Sequence, residues 1–325
     1  MDYFRPLVQV GPARASGACC IAWGWASHAE HLRRDAPARV IPIDAAPSDW
    51  RAAWAAPRPD AQKPRIMGVV NATPDSFSDG GRSFEASLAH AIALSRSADI
   101  LDIGGESTRP GAETVAPEEE IRRTAPLIKA LREAGVTTPI SIDTRKAAVA
   151  EAALDAGASI VNDVSGFTYD PALAPLCAAR GVPVCVMHAQ GDPETMQIAP
   201  HYDNVLLDVY DFLAARIASL KALGIGQIIA DPGIGFGKTM DHNLAILARL
   251  SLFHGLGVPI LLGASRKRFI GTIGGADAAE ARDPGSIGVA LAALGQSVQL
   301  IRAHDAAGHA QAIALWQASV ANLRA

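Results

Sequence analysis

The sequence predicts a (β/α)8 barrel with an N-terminal extension. Three observations point there. From residue 66 onward, eight short apolar runs alternate with helix-period stretches. Together they occupy about 260 residues, the size of one such barrel. Each run also ends in polar side chains, which a barrel collects at a single mouth, at the C-terminal ends of its strands. A doubly wound sheet is the alternative, but it usually needs fewer strands and a glycine fingerprint for a nucleotide.

Composition agrees with this class. The chain has 325 residues, enough for one barrel and an appendage, and is 49% apolar and 19% charged, as globular proteins are. The net charge is −4 and there is no extended basic patch, which argues against general nucleic-acid binding. A few placed Arg and Lys side chains still allow an anionic substrate. Cys19, Cys20, Cys177 and Cys185 show neither CxxC nor metal-ligand spacing, so they read as buried or incidental thiols. No run approaches the ~20 apolar residues of a spanning helix. Residues 17–25 are too short and interrupted for a signal peptide. A cytoplasmic enzyme without a membrane partner is expected.

Residues 1–60 stand apart. They hold four of the five tryptophans, Trp23, Trp25, Trp50 and Trp54. Residues 8–10 and 40–43 could form short strands, and residues 55–60 resemble a linker. The expectation is an appendage of unknown role packed on a barrel of residues 61–325.

The strand candidates are residues 66–71, 100–104, 139–143, 159–164, 183–188, 227–231, 259–263 and 298–304. Helical stretches fall at 85–97, 118–134, 145–156, 171–180, 204–223, 243–250 and 286–294. In order, the strand ends deliver Asn71, Asp102, Asp143, Asn162 with Asp163, His188, Asp231, Ser265 to Lys267, and Arg302 with His304. Residues two apart on a strand share a face, which pairs Arg302 with His304 and aligns Ile160, Asn162 and Val164. A purely structural barrel does not need polar groups at every end.

Residues 73–81 and 107–111 form two long loops of small residues, and Gly80, Gly81, Gly104 and Gly105 allow hinge-like backbone angles. The run from Gly233 to Thr239 invites a phosphate-loop reading, but Pro232 stands where its first glycine belongs. It better suits a close approach of backbone to a flat ligand. Ser265 to Arg268 is a basic cluster aimed at the mouth, with Lys267 as its ligand contact. Arg302 and His304 suit an anionic group such as phosphate. His188 reads as a packing or hydrogen-bonding residue, and Met187 as core or as the neighbour of a planar ligand. There is no tight carboxylate cage. One oxygen from Asn71, with waters and substrate phosphates, would fit Mg²⁺.

The segments at 71–81 and 102–112 resemble the two signature loops of the dihydropteroate synthase family. The similarity continues in order through Ser141 to Thr144, Val161 to Asp163, Val186 to His188, Asp231 to Lys238, Ser265 to Lys267 and Arg302 to Asp305. It covers residues 64–320. It implies a (β/α)8 barrel, commonly dimeric, that joins a dihydropterin-methyl diphosphate to 4-aminobenzoate in folate synthesis. By matching position, Asp143, Asn162, Asp231 and Lys267 would hydrogen-bond the pterin. Met187 and Val164 would flank its ring, and Arg302 would stack over it. Asn71, Arg302 and His304 would hold the diphosphate, with Mg²⁺ at Asn71. Phe77, Thr108, Pro110, Phe236 and Lys267 would shape the aminobenzoate pocket. The implied catalytic set is Asp79, Thr108, Arg109, Lys267 and Arg302. Two positions depart from the pattern: Ala303 where Val is common, and Arg268 where Ser is often found. A corrinoid-linked pterin methyltransferase and a non-catalytic pterin-binding paralogue are the rival readings. The first is not expected to carry both loops together, and the second would have eroded loop or diphosphate residues.

Overall fold

A computed structural model describes residues 2–11, 14–56, 63–72, 82–107, 114–191 and 195–321. Its first strands form two small antiparallel sheets. In one, β1 (Asp2–Pro6) pairs with β4 (His28–Arg33), which pairs with β5 (Arg39–Pro42). In the other, β2 (Cys19–Ile21) pairs with β3 (Gly24–Ala26). The strand candidate at 8–10 is reduced to a single bridge from Gln9 to Trp25. Helix α1 (Ser48–Ala55) follows and buries Trp54 against Phe4, Ile21 and Ile43.

These elements lie against the outside of the barrel. Tyr3 donates to Asp211 at 2.8 Å, and Arg34 donates to Asp208 and Asp211 at 2.6 and 2.8 Å. The Trp50 and Tyr210 rings stack with centroids 5.3 Å apart. The Trp23 indole donates to the Leu294 carbonyl at 3.0 Å.

The barrel strands are β6 (Arg65–Asn71), β7 (Ile100–Gly104), β8 (Ile140–Asp143), β9 (Ile160–Asp163), β10 (Val184–Met187), β11 (Ile228–Asp231), β12 (Leu261–Leu262) and β13 (Leu300–Ala303). They pair in parallel in the order β11-β10-β9-β8-β7-β6-β13-β12, and a bridge from Ala230 to Ile260 joins the two ends. All eight expected strands are present. The runs are short and apolar because a parallel strand is buried on both faces, by the barrel interior and by the outer helices.

The surrounding helices are α2 (Arg82–Leu94), α3 (Pro117–Glu133), α4 (Ala147–Asp155), α5 (Leu173–Arg180), α6 (Val205–Ala222), α7 (Met240–Leu247), α8 (Arg268–Gly274), α9 (Asp283–Leu294) and α10 (Ala306–Trp316). The sequence reading missed α1, α8 and α10. It also ran the helix at 243–250 on to Leu250, where a 3-10 segment, Leu250–Leu256, begins instead.

The strand period explains where the site lies. Met67, Ile100, Ile160, Cys185, Leu261 and Leu300 pack into one buried cluster from six different strands, a plug inside the barrel. Two residues further along those strands stand Val69, Asp102, Asn162, Met187, Gly263 and Arg302. They share the plug's inward face, one layer nearer the mouth. The polar strand ends therefore stand on an apolar floor.

Candidate active site

A cavity of about 930 Å³ opens above that layer. Asn71, Asp143, Asn162, Met187, Asp231, Phe236, Lys267, Arg302 and His304 all line it, together with Val164. Nine site residues expected from the sequence thus meet in one place. The expected Phe77, Asp79, Thr108, Arg109 and Pro110 lie outside the described residues.

Arg302 sits at the centre. It leaves β13 and spans the interior, donating from Nε to Asp102 Oδ2 at 2.6 Å and from Nη2 to Asp143 Oδ2 at 2.8 Å. Although burial opposes its charge, these two carboxylates hold its pKa above the ordinary value. Asp102 also accepts from Asn162 Nδ2 at 3.2 Å. One fully buried carboxylate therefore fixes both an arginine and an amide of the cavity wall. The sequence shows Asp102 as a polar strand end but gives no hint of this role. Its position two residues beyond the apolar Ile100 is the only signal that it faces inward.

Asp143 keeps Oδ1 without a partner among the described residues. Burial, with the Asp102 carboxylate next to it, pushes the Asp143 carboxyl up to about 8. Asp231 anchors Oδ1 on the Gly233 backbone N–H at 2.7 Å. Burial raises its pKa, while Lys267 and that N–H draw it back. Burial also lowers the Lys267 ammonium to about 8, against the pull of Asp231. Lys267 donates to the Ile234 carbonyl and stands 4.6 Å from the centre of the Phe236 ring.

The basic cluster divides. Arg266, at φ 59°, turns to Asp283 in a two-pronged ion pair of 2.7 and 2.8 Å. Lys267 faces the cavity, and Arg268 stands exposed at its rim. His304 Nδ1 lies 3.0 Å from Ser265 Oγ, joining the ends of the last two strands.

A second buried charge cluster lies beside the cavity. Glu106, itself a cavity residue, bonds Arg145, Lys146 and the Val115 N–H, and Lys146 also reaches Glu120 at 2.6 Å. No grouping of three or more His, Cys, Asp or Glu side chains suited to a metal occurs among the described residues.

Acceptors from Asp143, Asn162 and Asp231 and cations from Lys267 and Arg302 line the same cavity. Such a site takes a flat, donor-rich ring carrying an anionic arm.

Comparison with known proteins agrees with this geometry. A family model described as pterin binding enzyme matches residues 67–304. A dihydropteroate synthase of Neisseria meningitidis serogroup C is 45% identical over 269 residues, covering 80% of this chain and 94% of that protein. The solved dihydropteroate synthase of Xanthomonas albilineans with 4-aminobenzoic acid is 46% identical, with a TM-score of 0.74 over 79% of this chain and 93% of that one. The same enzyme with 7,8-dihydropteroate aligns at 42% identity and a TM-score of 0.71, over 79% and 93% of the two chains. The chain belongs to the pterin-binding enzymes and, within them, to the dihydropteroate synthase family.

Proposed function

We propose that the chain joins (7,8-dihydropterin-6-yl)methyl diphosphate to 4-aminobenzoate in this cavity, releasing 7,8-dihydropteroate and diphosphate. The observation that carries the reading is Arg302, which lies among acceptors suited to a pterin edge and beside His304, which suits a phosphate. Asp231 and Asn162 take the ring's donors, and Asp143 adds its unpartnered oxygen. Met187 and Val164 border the ring. Lys267 meets the carbonyl side of the pterin, and Phe236 bounds the space left for the arylamine.

The reaction needs no protein nucleophile. The bond from the methylene carbon to the diphosphate oxygen breaks, and its electrons leave with the diphosphate. Arg302 and His304 meet the negative charge that develops there. The ring nitrogens share the positive charge left on the methylene carbon. The aminobenzoate nitrogen then bonds to that carbon and gives up a proton. Asp79, Thr108, Arg109, Phe77 and Pro110 belong to this proposal through their loops, which would cover the arylamine and exclude water.

A Mg²⁺ ion fits as a partner of the substrate. Asn71 offers a carboxamide oxygen in the same cavity as Arg302 and His304, and Mg²⁺ accepts few protein ligands when phosphates supply others. When bound, it would neutralise charge on the departing diphosphate.

The expected state is a homodimer in the cytoplasm, with residues 61–325 as the pterin barrel and residues 1–60 as its appendage. No helix among the described residues is long and apolar enough to cross a membrane. Incubating the purified chain with both substrates and Mg²⁺ tests the reading. Dihydropteroate should form, whereas tight pterin binding without product would favour a non-catalytic pterin binder.

A further inference from the structure

The glycine-rich loop after β11 ends in a lysine that the reaction above does not use. Lys238 is buried, and although its stem borders the cavity, its ammonium turns under the loop. Nζ lies 2.8 Å from the Gly233 carbonyl, 3.1 Å from the Phe236 carbonyl and 3.3 Å from the His188 carbonyl. It also lies 2.9 Å from His188 Nδ1. Four acceptors surround a group with three N–H bonds, so none remains for a phosphate. The phosphate-loop reading of this motif therefore fails on geometry as well as on spacing.

The loop is shaped around that nitrogen. Gly233 and Gly237 have φ of 68° and 61°, and a Cβ on either would overlap the backbone carbonyl oxygen of His188 or Gln190. The backbone thus lies directly on the end of β10 with the Gly233 and Phe236 carbonyls turned inward. The Ile234 carbonyl and the Phe236 ring are left for Lys267, which rests on both. Imidazole is the fixed side of the anchor: the His188 ring packs 4.9 Å from the Phe212 ring centre.

We infer that Lys238, anchored on His188, is a positioning residue for the arylamine half of the reaction, because it sets the Phe236 ring and the Ile234 carbonyl against which Lys267 is held. This rests on the synthase reading. Asn162 and Asp143 hold the pterin from other strands, whereas the Phe236 ring bounds the arylamine space, so the loss of Lys238 should fall on the arylamine more than on the pterin.

Lys238→Met keeps the length of the side chain and removes its donors. The expected result is a rise of about tenfold in the KM for 4-aminobenzoate, as for one lost buried hydrogen bond, with a much smaller change in KM for the pterin diphosphate. His188→Leu removes the acceptor and should shift the same KM in the same direction. The double variant should do no more than Lys238→Met alone, because the two act as one unit. If Lys238→Met does not fold, His188→Leu carries the same test. A wild-type KM for 4-aminobenzoate in the folded variants, or an equal rise for both substrates, overturns the inference. Absence of dihydropteroate from the wild-type chain would instead overturn the functional reading beneath it.

Discussion

Asp102 and Arg302 are joined inside the barrel, with Arg302 Nε donating to Asp102 Oδ2 at 2.6 Å. Asp102 is fully buried, and its second oxygen has no partner among the described residues. It therefore works from beneath the cavity, holding the guanidinium across it and orienting Asn162. Removing Asp102 leaves Arg302 with Asp143 alone and takes the acceptor from Asn162 Nδ2, at a cost of about 1–3 kcal/mol for the lost charged hydrogen bond. Asp102→Ala should lose stability of that order in urea unfolding. Asp102→Asn should fold, and its kcat/KM for the pterin diphosphate should fall at least about tenfold through loss of the charged hydrogen bond. Wild-type kinetics in Asp102→Asn would remove Asp102 from the mechanism.

Asp143 gives a pH signature. Its carboxyl is raised from the usual 3.8 to about 8 by burial and by Asp102. Between those values the unfolded chain releases the proton and the folded protein keeps it, so stability falls as pH rises across that window. Asp143→Asn cannot release the proton in either state. Its melting temperature should decline less than that of wild type between pH 5 and pH 8, scanned with other conditions fixed. Parallel melting curves would show that Asp143 is not the group responsible.

Gly233 tests the loop backbone. Its positive φ suits glycine, and a Cβ would overlap the His188 carbonyl. Gly233→Ala should destabilise by at least about 2 kcal/mol, combining backbone strain with the overlap. Asp231 should also lose its hold on the Gly233 N–H, so pterin affinity should drop with stability. Unchanged melting and unchanged pterin affinity would contradict the described loop.

Arg268 tests the rim. It is exposed, and it stands where the family often has serine. An exposed charge pair contributes about 0.2–1 kcal/mol, so Arg268→Ser should raise the KM for 4-aminobenzoate, a carboxylate, by no more than about fivefold. The KM for the pterin diphosphate should stay within error. An equal effect on both substrates would place Arg268 elsewhere in the mechanism.

Much of this was legible in the sequence, for a physical reason. Strands buried on both faces must be apolar, so the eight runs stand out and their polar ends mark the mouth. The period of two then selects Asn162, Asp231 and Arg302 as inward residues. Of the N-terminal strands only β5 shows in the sequence, at residues 40–43; β1 to β4 are hidden because they are only 3–6 residues long and mix polar with apolar positions. Helix α8 escaped because glycine and threonine interrupt its short period, and α10 because its alanine-rich run lacks contrast between faces. The direction of Lys238 could not be read, since a lysine after a glycine loop can face a ligand or its own carbonyls. Only the folded backbone decides which.

On this account one cavity floor holds the pterin while its diphosphate departs and the arylamine nitrogen bonds to the methylene carbon. Single-turnover measurement of dihydropteroate and diphosphate, on wild type and on folded Arg302→Ala, tests it most directly. Wild type should yield the two products one for one, and Arg302→Ala should slow both by about a hundredfold or more, as for loss of a group meeting developing charge. Equal rates in the two proteins, or pterin binding by wild type with neither product, would contradict it.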